Sequence, residues 1–256
     1  MNQKYITFLK KYPRIFRIAK ATYTYGYLKL KRLEKIPKRI AFKITRNEDI
    51  VEKLLLDYPM ILSGMVSENH IRVILTNLKK VLDENVEGDI VELGCNVGTT
   101  SLFIRRFLNY YKSEKRFHVY DSFEGLPEKE AKDQSNTEYQ FKEGECKKEK
   151  EEIINNFKRA KLKLPEIHVG WFGKIPDEEY PRKIAFAFFD GDFYSSILDS
   201  FDKVYSRMAP NSRITIHDYQ SKFLPGVEKA CAEFLEDKPE KGTITNNDHI
   251  GIMIKK

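Results

Sequence analysis

Four short runs of this 256-residue chain hold side chains able to do chemistry together. The first is Phe189-Asp190-Gly191-Asp192-Phe193-Tyr194, two carboxylates at the end of the apolar run Ile184 to Phe189. A charge at the end of a buried strand is costly unless a cation, a ligand or solvent meets it. The second is Ile214-Thr215-Ile216-His217-Asp218-Tyr219, again at the end of an apolar run. If these two strands are neighbours, His217 and Asp218 face Asp190 across a few ångströms. Oxygen ligands with one imidazole can hold a divalent cation. The competing reading is that Asp192 or Ser195 caps the helix that follows.

The third run is Glu92-Leu93-Gly94-Cys95-Asn96-Val97-Gly98. Its glycines allow a sharp turn and a close approach of backbone to ligand. The spacing is G-x-x-x-G, which disfavours a dinucleotide and suits a nucleoside cofactor without pyrophosphate. The fourth is Val119-Tyr120-Asp121, an acid able to accept both ribose hydroxyls of a nucleoside. Trp171 and Phe172 follow another strand and either flank a base or fill core. Glu143 and Glu145 either reach a substrate or stay solvated. His70, His118, His168 and His249 read as structural.

These runs need strands and helices to position them. Ser67 is an N-cap, and Ile71, Ile74, Leu75, Leu78, Val81 and Leu82 predict a helix ending near Asn85. Strands are expected at 89–93, 116–120, 166–169, 184–189 and 213–217, with a last one at 249–254 paired with 243–245. Helices are expected at 99–111, 149–161, 194–208 and 225–237. Strand 184–189 is apolar throughout, as in a strand buried on both faces. The alternation implies a doubly wound, mostly parallel sheet covered on both sides. Residues 124–148 are rich in Glu, Lys, Asp and Gly and read as a mobile loop, the start of a lid or insert over 124–160.

Composition excludes several classes. With 41% apolar and 12% aromatic residues the chain is not disordered, and it lacks a spanning apolar run or a secretory signal. Cys95, Cys146 and Cys231 are far apart, which fits a reducing, cytoplasmic setting and no disulfide framework. The net charge of +7 is unevenly placed. Residues 1–46 carry 14 Lys and Arg against one acid, Glu34, a balance of +13, and the remainder is −6. The basic part, with Ile15, Phe16 and Ile18 among Arg14, Arg17 and Lys20, reads as an amphipathic N-terminal helical extension. It suits packing on the body or a subunit, or peripheral contact with an anionic membrane or glycan. Nucleic acid is not favoured, because the basicity is local. A homo-oligomer is compatible with the sequence.

Together the segments GDIVELGCNVG (88–98), VYDSFEGLP (119–127), FFDGDFYSS (189–196 with its preceding Phe), HDY (217–219) and PGVEKA (225–230) resemble the macrocin-type O-methyltransferases. These are class I S-adenosylmethionine-dependent enzymes that methylate sugar hydroxyls. The resemblance covers about 47–256 and leaves the leader without a counterpart. It implies a seven-stranded Rossmann-like sheet with an antiparallel last strand. It implies adenosylmethionine over the first strand ends, with Asp121 on the ribose, and a magnesium site. The cofactor set is then Glu92, Gly94, Cys95, Asn96, Gly98, Thr99, Asp121, Ser122, Trp171 and Asp190. Tyr58-Pro59-Met60 and Ser63-Gly64 resemble a segment that closes over the cofactor.

The family pattern before the Tyr is Asp-Asp, and this chain has His217-Asp218. A nitrogen in place of an oxygen shifts preference towards manganese or another transition ion. On this reading Asp190, His217 and Asp218 are metal ligands and Asp192 is the general base, with the roles of Asp190 and Asp192 exchangeable. The expected function is divalent-metal-assisted O-methylation of a sugar or glycosylated acceptor. The alternatives are a nucleic-acid or other small-molecule methyltransferase, a dehydrogenase, and a noncatalytic membrane- or glycan-associated protein with a degenerate methyltransferase body.

Overall fold

Strand β4 (Ile184–Phe189) shows why the sheet forms where it does. All six of its side chains, Ile-Ala-Phe-Ala-Phe-Phe, are fully buried. A strand without a polar face is stable only in the middle of a sheet covered on both sides. In the computed structural model, described over residues 49–57 and 62–256, β4 indeed lies between β1 (Asp89–Leu93) and β5 (Met208–Ile216).

The chain divides into two units, Met1–Ile61 and Leu62–Lys256. Of the first, the described part holds the short helix α1 (Ile50–Leu55), capped by the Asp49 carboxylate on the Val51 N–H at 2.9 Å. The basic segment 1–46 and Tyr58-Pro59-Met60 lie outside the described residues.

The second unit opens with α2 (Glu68–Asp83), whose N-cap Ser67 accepts the His70 N–H at 3.0 Å. After β1 come α3 (Thr99–Tyr110), β2 (Phe117–Asp121), α4 (Lys150–Ala160) and β3 (Glu166–Val169). After β4 come α5 (Tyr194–Val204), β5, α6 (Gly226–Phe234), β6 (Thr245–Asn247) and β7 (Ile250–Ile254). The seven strands run in the order β3-β2-β1-β4-β5-β7-β6. Strands β1 to β5 pair parallel, while β7 is antiparallel to both β5 and β6. The doubly wound, mostly parallel architecture is as expected. No helix among the described residues is long and apolar enough to cross a membrane.

The order reverses between β1 and β4, and right-handed crossovers then put the helices after the two strands on opposite faces. Such a crevice at the carboxyl ends of strands is where open α/β sheets bind ligands. The core beneath it joins Val91, Leu93, Phe189, Phe193, Ile197 and Ile216.

Candidate active site

Hydrogen bonding past the strand ends brings the four chemical runs together. Gly94 N–H donates to Tyr120 O, Asp190 N–H to Leu93 O and His217 N–H to Phe189 O, each at 2.8 Å. The last of these extends the β4–β5 register, in which Phe189 pairs with Ile216. Asp190 and His217 are therefore neighbours by backbone geometry.

The glycine turn is shaped by protein as much as by any ligand. Gly94 has φ of +91°, and a Cβ there would stand 2.1 Å from the Asp190 carbonyl oxygen. Gly98 has φ of +81°, and a Cβ there would press on Ile153 of α4 at 2.7 Å. Neither position tolerates a side chain. Asn96, Asp192 and Asp218 also adopt positive φ (47°, 62° and 55°). Asn and Asp accept this region at modest cost, and such strain clusters at functional sites.

Asp121 closes the turn from β2. Its Oδ2 accepts the Cys95 N–H at 2.9 Å and the Asn96 N–H at 2.7 Å, and its Oδ1 accepts the Phe123 N–H at 2.7 Å. A carboxylate has about four acceptor sites, so a further donor such as a ribose hydroxyl can still be met. Burial pushes the Asp121 carboxyl up, and the three N–H groups oppose that shift.

At the other side, His217 Nδ1 lies 2.8 Å from Asp190 Oδ1 and 2.9 Å from Asp218 Oδ2. It nevertheless has no aligned hydrogen-bond partner, and His217 is 7% exposed. Burial lowers the His217 pKa, and the two carboxylates outweigh it, so the ring sits well above its ordinary value. Burial, then the charges of Asp190 and Asp218, holds Asp192 well above the usual carboxylate range. One oxygen or nitrogen each from Asp190, His217 and Asp218 all lie within 4.8 Å of one another, close enough to share a cation.

A cavity of about 620 Å³ joins the two halves. Of the residues singled out from sequence, Gly94, Asn96, Asp121, Ser122, Trp171, Asp190, Asp192, His217 and Asp218 line it. Cys95, Gly98 and Thr99 sit behind the wall, where Cys95 contributes its N–H to Asp121. Glu92 is 1% exposed inside β1. Burial pushes its carboxyl up to about 8, Asp190 and Asp121 adding to the shift and the Ser101 hydroxyl opposing it.

The segment 124–148 forms the outer wall with Leu126, Phe141, Glu143 and Cys146. Cys146 O accepts the Asn96 side-chain amide at 2.8 Å, which ties this wall to the glycine turn. Glu145 instead accepts the Tyr139 hydroxyl. Asp133, fully buried, accepts the Tyr194 N–H at 2.7 Å and so caps the start of α5.

His70, expected to be structural, does complete the capping box of α2, and it also reaches the site. It lines the cavity, and its Nδ1 lies 2.9 Å from His217 Nε2. The signal in the sequence was a histidine three residues after the Ser67 cap, where Glu or Gln more often completes a capping box. His118 and His168 do lie away from the cavity. With Glu166 they form a second group able to approach an ion, but their partners are already set. His118 Nδ1 and His168 Nε2 face each other at 3.2 Å in nearly parallel rings, His168 Nδ1 meets Glu179 at 2.8 Å, and Glu166 is paired with Arg116.

The fold and the crevice define a class I methyltransferase. The sequence matches the Macrocin-O-methyltransferase (TylF) family over residues 17–256, and the chain belongs to that family. The match begins at residue 17, which corrects the expectation that the whole basic leader stands outside the resemblance. Among similar proteins is the 8-demethyl-8-(2,3-dimethoxy-alpha-L-rhamnosyl)-tetracenomycin-C 4'-O-methyltransferase of Streptomyces olivaceus, 30% identical over 64% of this chain and 65% of its own length. The Mycinamicin III 3''-O-methyltransferase of Micromonospora griseorubida is 25% identical over 77% of this chain and 79% of its own. The solved O-methyltransferase NovP superposes with a TM-score of 0.65 at 20% identity, covering 91% of this chain and 99% of that one. The SAH-bound methyltransferase PaMTH1 of Podospora anserina does so with a TM-score of 0.53 at 11% identity, covering 87% and 95%. These structural likenesses establish the fold. The family is one of O-methyltransferases, and membership in it speaks against the noncatalytic and dehydrogenase alternatives.

Proposed function

We propose that this enzyme transfers a methyl group from S-adenosylmethionine to a sugar hydroxyl, with a divalent cation held by Asp190, His217 and Asp218. The observation that carries the reading is the buried His217 Nδ1, unaligned for hydrogen bonding yet within 2.9 Å of two carboxylate oxygens. Two anionic oxygens and one imidazole nitrogen fit a cation chemically. When bound, the cation supplies Lewis acidity that lowers the pKa of an acceptor hydroxyl, and adenosylmethionine supplies the methyl carbon.

The chain's own residues do the rest. Asp121 receives the ribose hydroxyls with its remaining acceptor capacity, and Trp171 flanks the base. Asp192, on the cavity wall, takes the acceptor's hydroxyl proton on its carboxylate as the new O–C bond forms and the S–C bond breaks. Asp190 is the alternative for that role. The fixed turn and the wall formed by Leu126 and Phe141 align the two reactants and exclude water.

The family relatives whose names specify sugar positions support a sugar-containing acceptor. Calorimetry with adenosylmethionine, with and without a divalent cation, tests the two ligand sites. Transfer of labelled methyl to a panel of free sugars, nucleotide sugars and glycolipids tests the acceptor. Absence of cofactor binding, or transfer undiminished by exhaustive chelation, would refute the respective part. Manganese is expected to serve as well as magnesium, because His217 adds a nitrogen donor. Activity with magnesium alone, unchanged by His217→Asp, would defeat that expectation. The +13 balance of residues 1–46 supports peripheral contact with an anionic membrane or glycan. Equal binding of the full chain and of a chain lacking 1–46 to anionic vesicles would count against it.

A further inference from the structure

His70 stands at the third position of α2, behind His217 as seen from the cation site. Its Nδ1 meets two groups. The Ser67 N–H points at it from 3.4 Å, as the second half of a capping box. His217 Nε2 lies 2.9 Å from the same atom. A ring nitrogen that receives a backbone N–H presents its lone pair and carries no proton. A proton on His70 Nδ1 would face the Ser67 hydrogen directly. The proton in the contact between the rings therefore belongs to His217 Nε2. A neutral imidazole has one N–H, so its other nitrogen, Nδ1, is then a bare lone pair. In the neutral ring that lone pair faces Asp190 Oδ1 and Asp218 Oδ2, three electron-rich atoms that either a proton on Nδ1 or a bound cation relieves, the cation taking the proton's place when it binds.

We propose that His70 is a positioning residue which fixes His217 in the Nε2–H form and so presents Nδ1 to the cation. This rests on the cation reading given above. The polarity of the relay comes from the helix start. The orphan Ser67 N–H sets His70, and His70 sets His217. His70's own proton then lies on Nε2, turned toward Asp248 Oδ2 at 3.7 Å. The Asn69 side chain holds that carboxylate from 2.8 Å. Partners one step removed from a ligand typically change metal affinity by 10- to 100-fold.

The test uses the full chain and Mn²⁺ as the probe. Calorimetric titration of His70→Leu should show Mn²⁺ binding weaker by roughly 10- to 100-fold. In His70→Asn the side-chain oxygen can stand near the lost Nδ1 and accept both N–H groups. It should recover most of the affinity, to within about threefold of the parent chain, an allowance of under 1 kcal/mol. On the unsubstituted protein loaded with Mg²⁺, ¹⁵N spectra of the histidines should show His217 protonated at Nε2 and bare at Nδ1. That measurement decides the matter even if the Leu variant fails to fold. Undiminished Mn²⁺ affinity in a folded Leu variant, an Asn variant no better than Leu, or a proton on His217 Nδ1 in the loaded protein would each overturn the role of His70. Absence of Mn²⁺ binding to the unsubstituted chain would instead overturn the cation reading on which it rests.

Discussion

Asp121 illustrates how one carboxylate can be both structural and functional. Three backbone N–H groups converge on it from the glycine turn and from its own loop. Asp121→Asn replaces an all-acceptor group by one that is half donor. The new amide must turn an N–H at backbone N–H groups or leave them unpaired. We expect a loss of about 2 kcal/mol in stability and a clear weakening of adenosylmethionine binding. Chemical denaturation and calorimetry on one variant check both, and an unchanged unfolding midpoint would contradict the account. Glu92 makes the opposite case, since its raised carboxyl near 8 reflects enclosure inside β1. The folded state keeps this proton where an unfolded chain releases it near 4.5. Stability conferred by the protonated form is therefore present at low pH and lost as pH rises from about 4.5 through 8. The slope approaches about 1.4 kcal/mol per pH unit. Glu92→Gln should flatten stability against pH over that window, and a parallel pair of curves would speak against it.

Among elements, segment 124–148 departs most from its sequence expectation. Its charge-rich composition reads as a loop in solvent, and it does lack regular structure apart from a short 3-10 turn at Ala131–Asp133. Yet Asp133 is fully enclosed, and its partner Tyr194 is 61 positions away. Nothing local marks one acid among many as the one that caps a distant helix. Asp133→Ala should cost about 2–3 kcal/mol, because it leaves the Tyr194 N–H at the start of α5 unpaired. It should also speed limited proteolysis within 124–148 under native conditions; unchanged cleavage would mean the segment is held elsewhere. Strand β5 is longer than its apolar run suggests. It begins at Met208, and Pro210 and Asn211 lie within it. The register against β4 shifts between Ile184 and Phe186, which absorbs these breakers as a bulge. The final hairpin pairs 245–247 with 250–254 rather than 243–245, because Asp248 and His249 both take positive φ (53° and 61°). Two such residues make the tight turn that suits strand twist, and they set the register.

At the scale of the whole molecule, Glu240 is one contributor to pH dependence at the acid end. It is fully buried and joins the region after α6 to the chain's end. It accepts from the Tyr205 hydroxyl, from Lys255 Nζ at 3.0 Å and from the Lys256 N–H at 2.9 Å. Burial alone would raise this carboxyl, but these donors hold it down at about 2, against 4.5 for a free group. The stabilisation is therefore complete above about 4.5 and is lost as pH falls toward 2. Allowing for screening at the domain rim, it amounts to roughly 2 kcal/mol. Glu240→Gln should be destabilised by that amount at pH 7 and by little near pH 2, and an equal loss at both would exclude the ionic origin.

At the same scale, the sequence by itself determined the alternation of strands and helices and the acids at the strand ends. Those features are local. A strand or helix period spans a few residues, and an acid just past an apolar run lies at a strand end whatever the rest of the chain does. It also showed Asp190, Asp192, His217 and Asp218 as one chemical group, since a short crossover forces their strands together. What only the tertiary structure decided is how each group is held. The Gly94 turn rests on the Asp190 backbone, Asp133 caps α5 from another segment, and His217 Nε2 meets a nitrogen 147 positions earlier. Such contacts depend on how α2 and the loops pack over the sheet. The angle and shift of that packing come from the summed fit of many side chains, which no local spacing encodes.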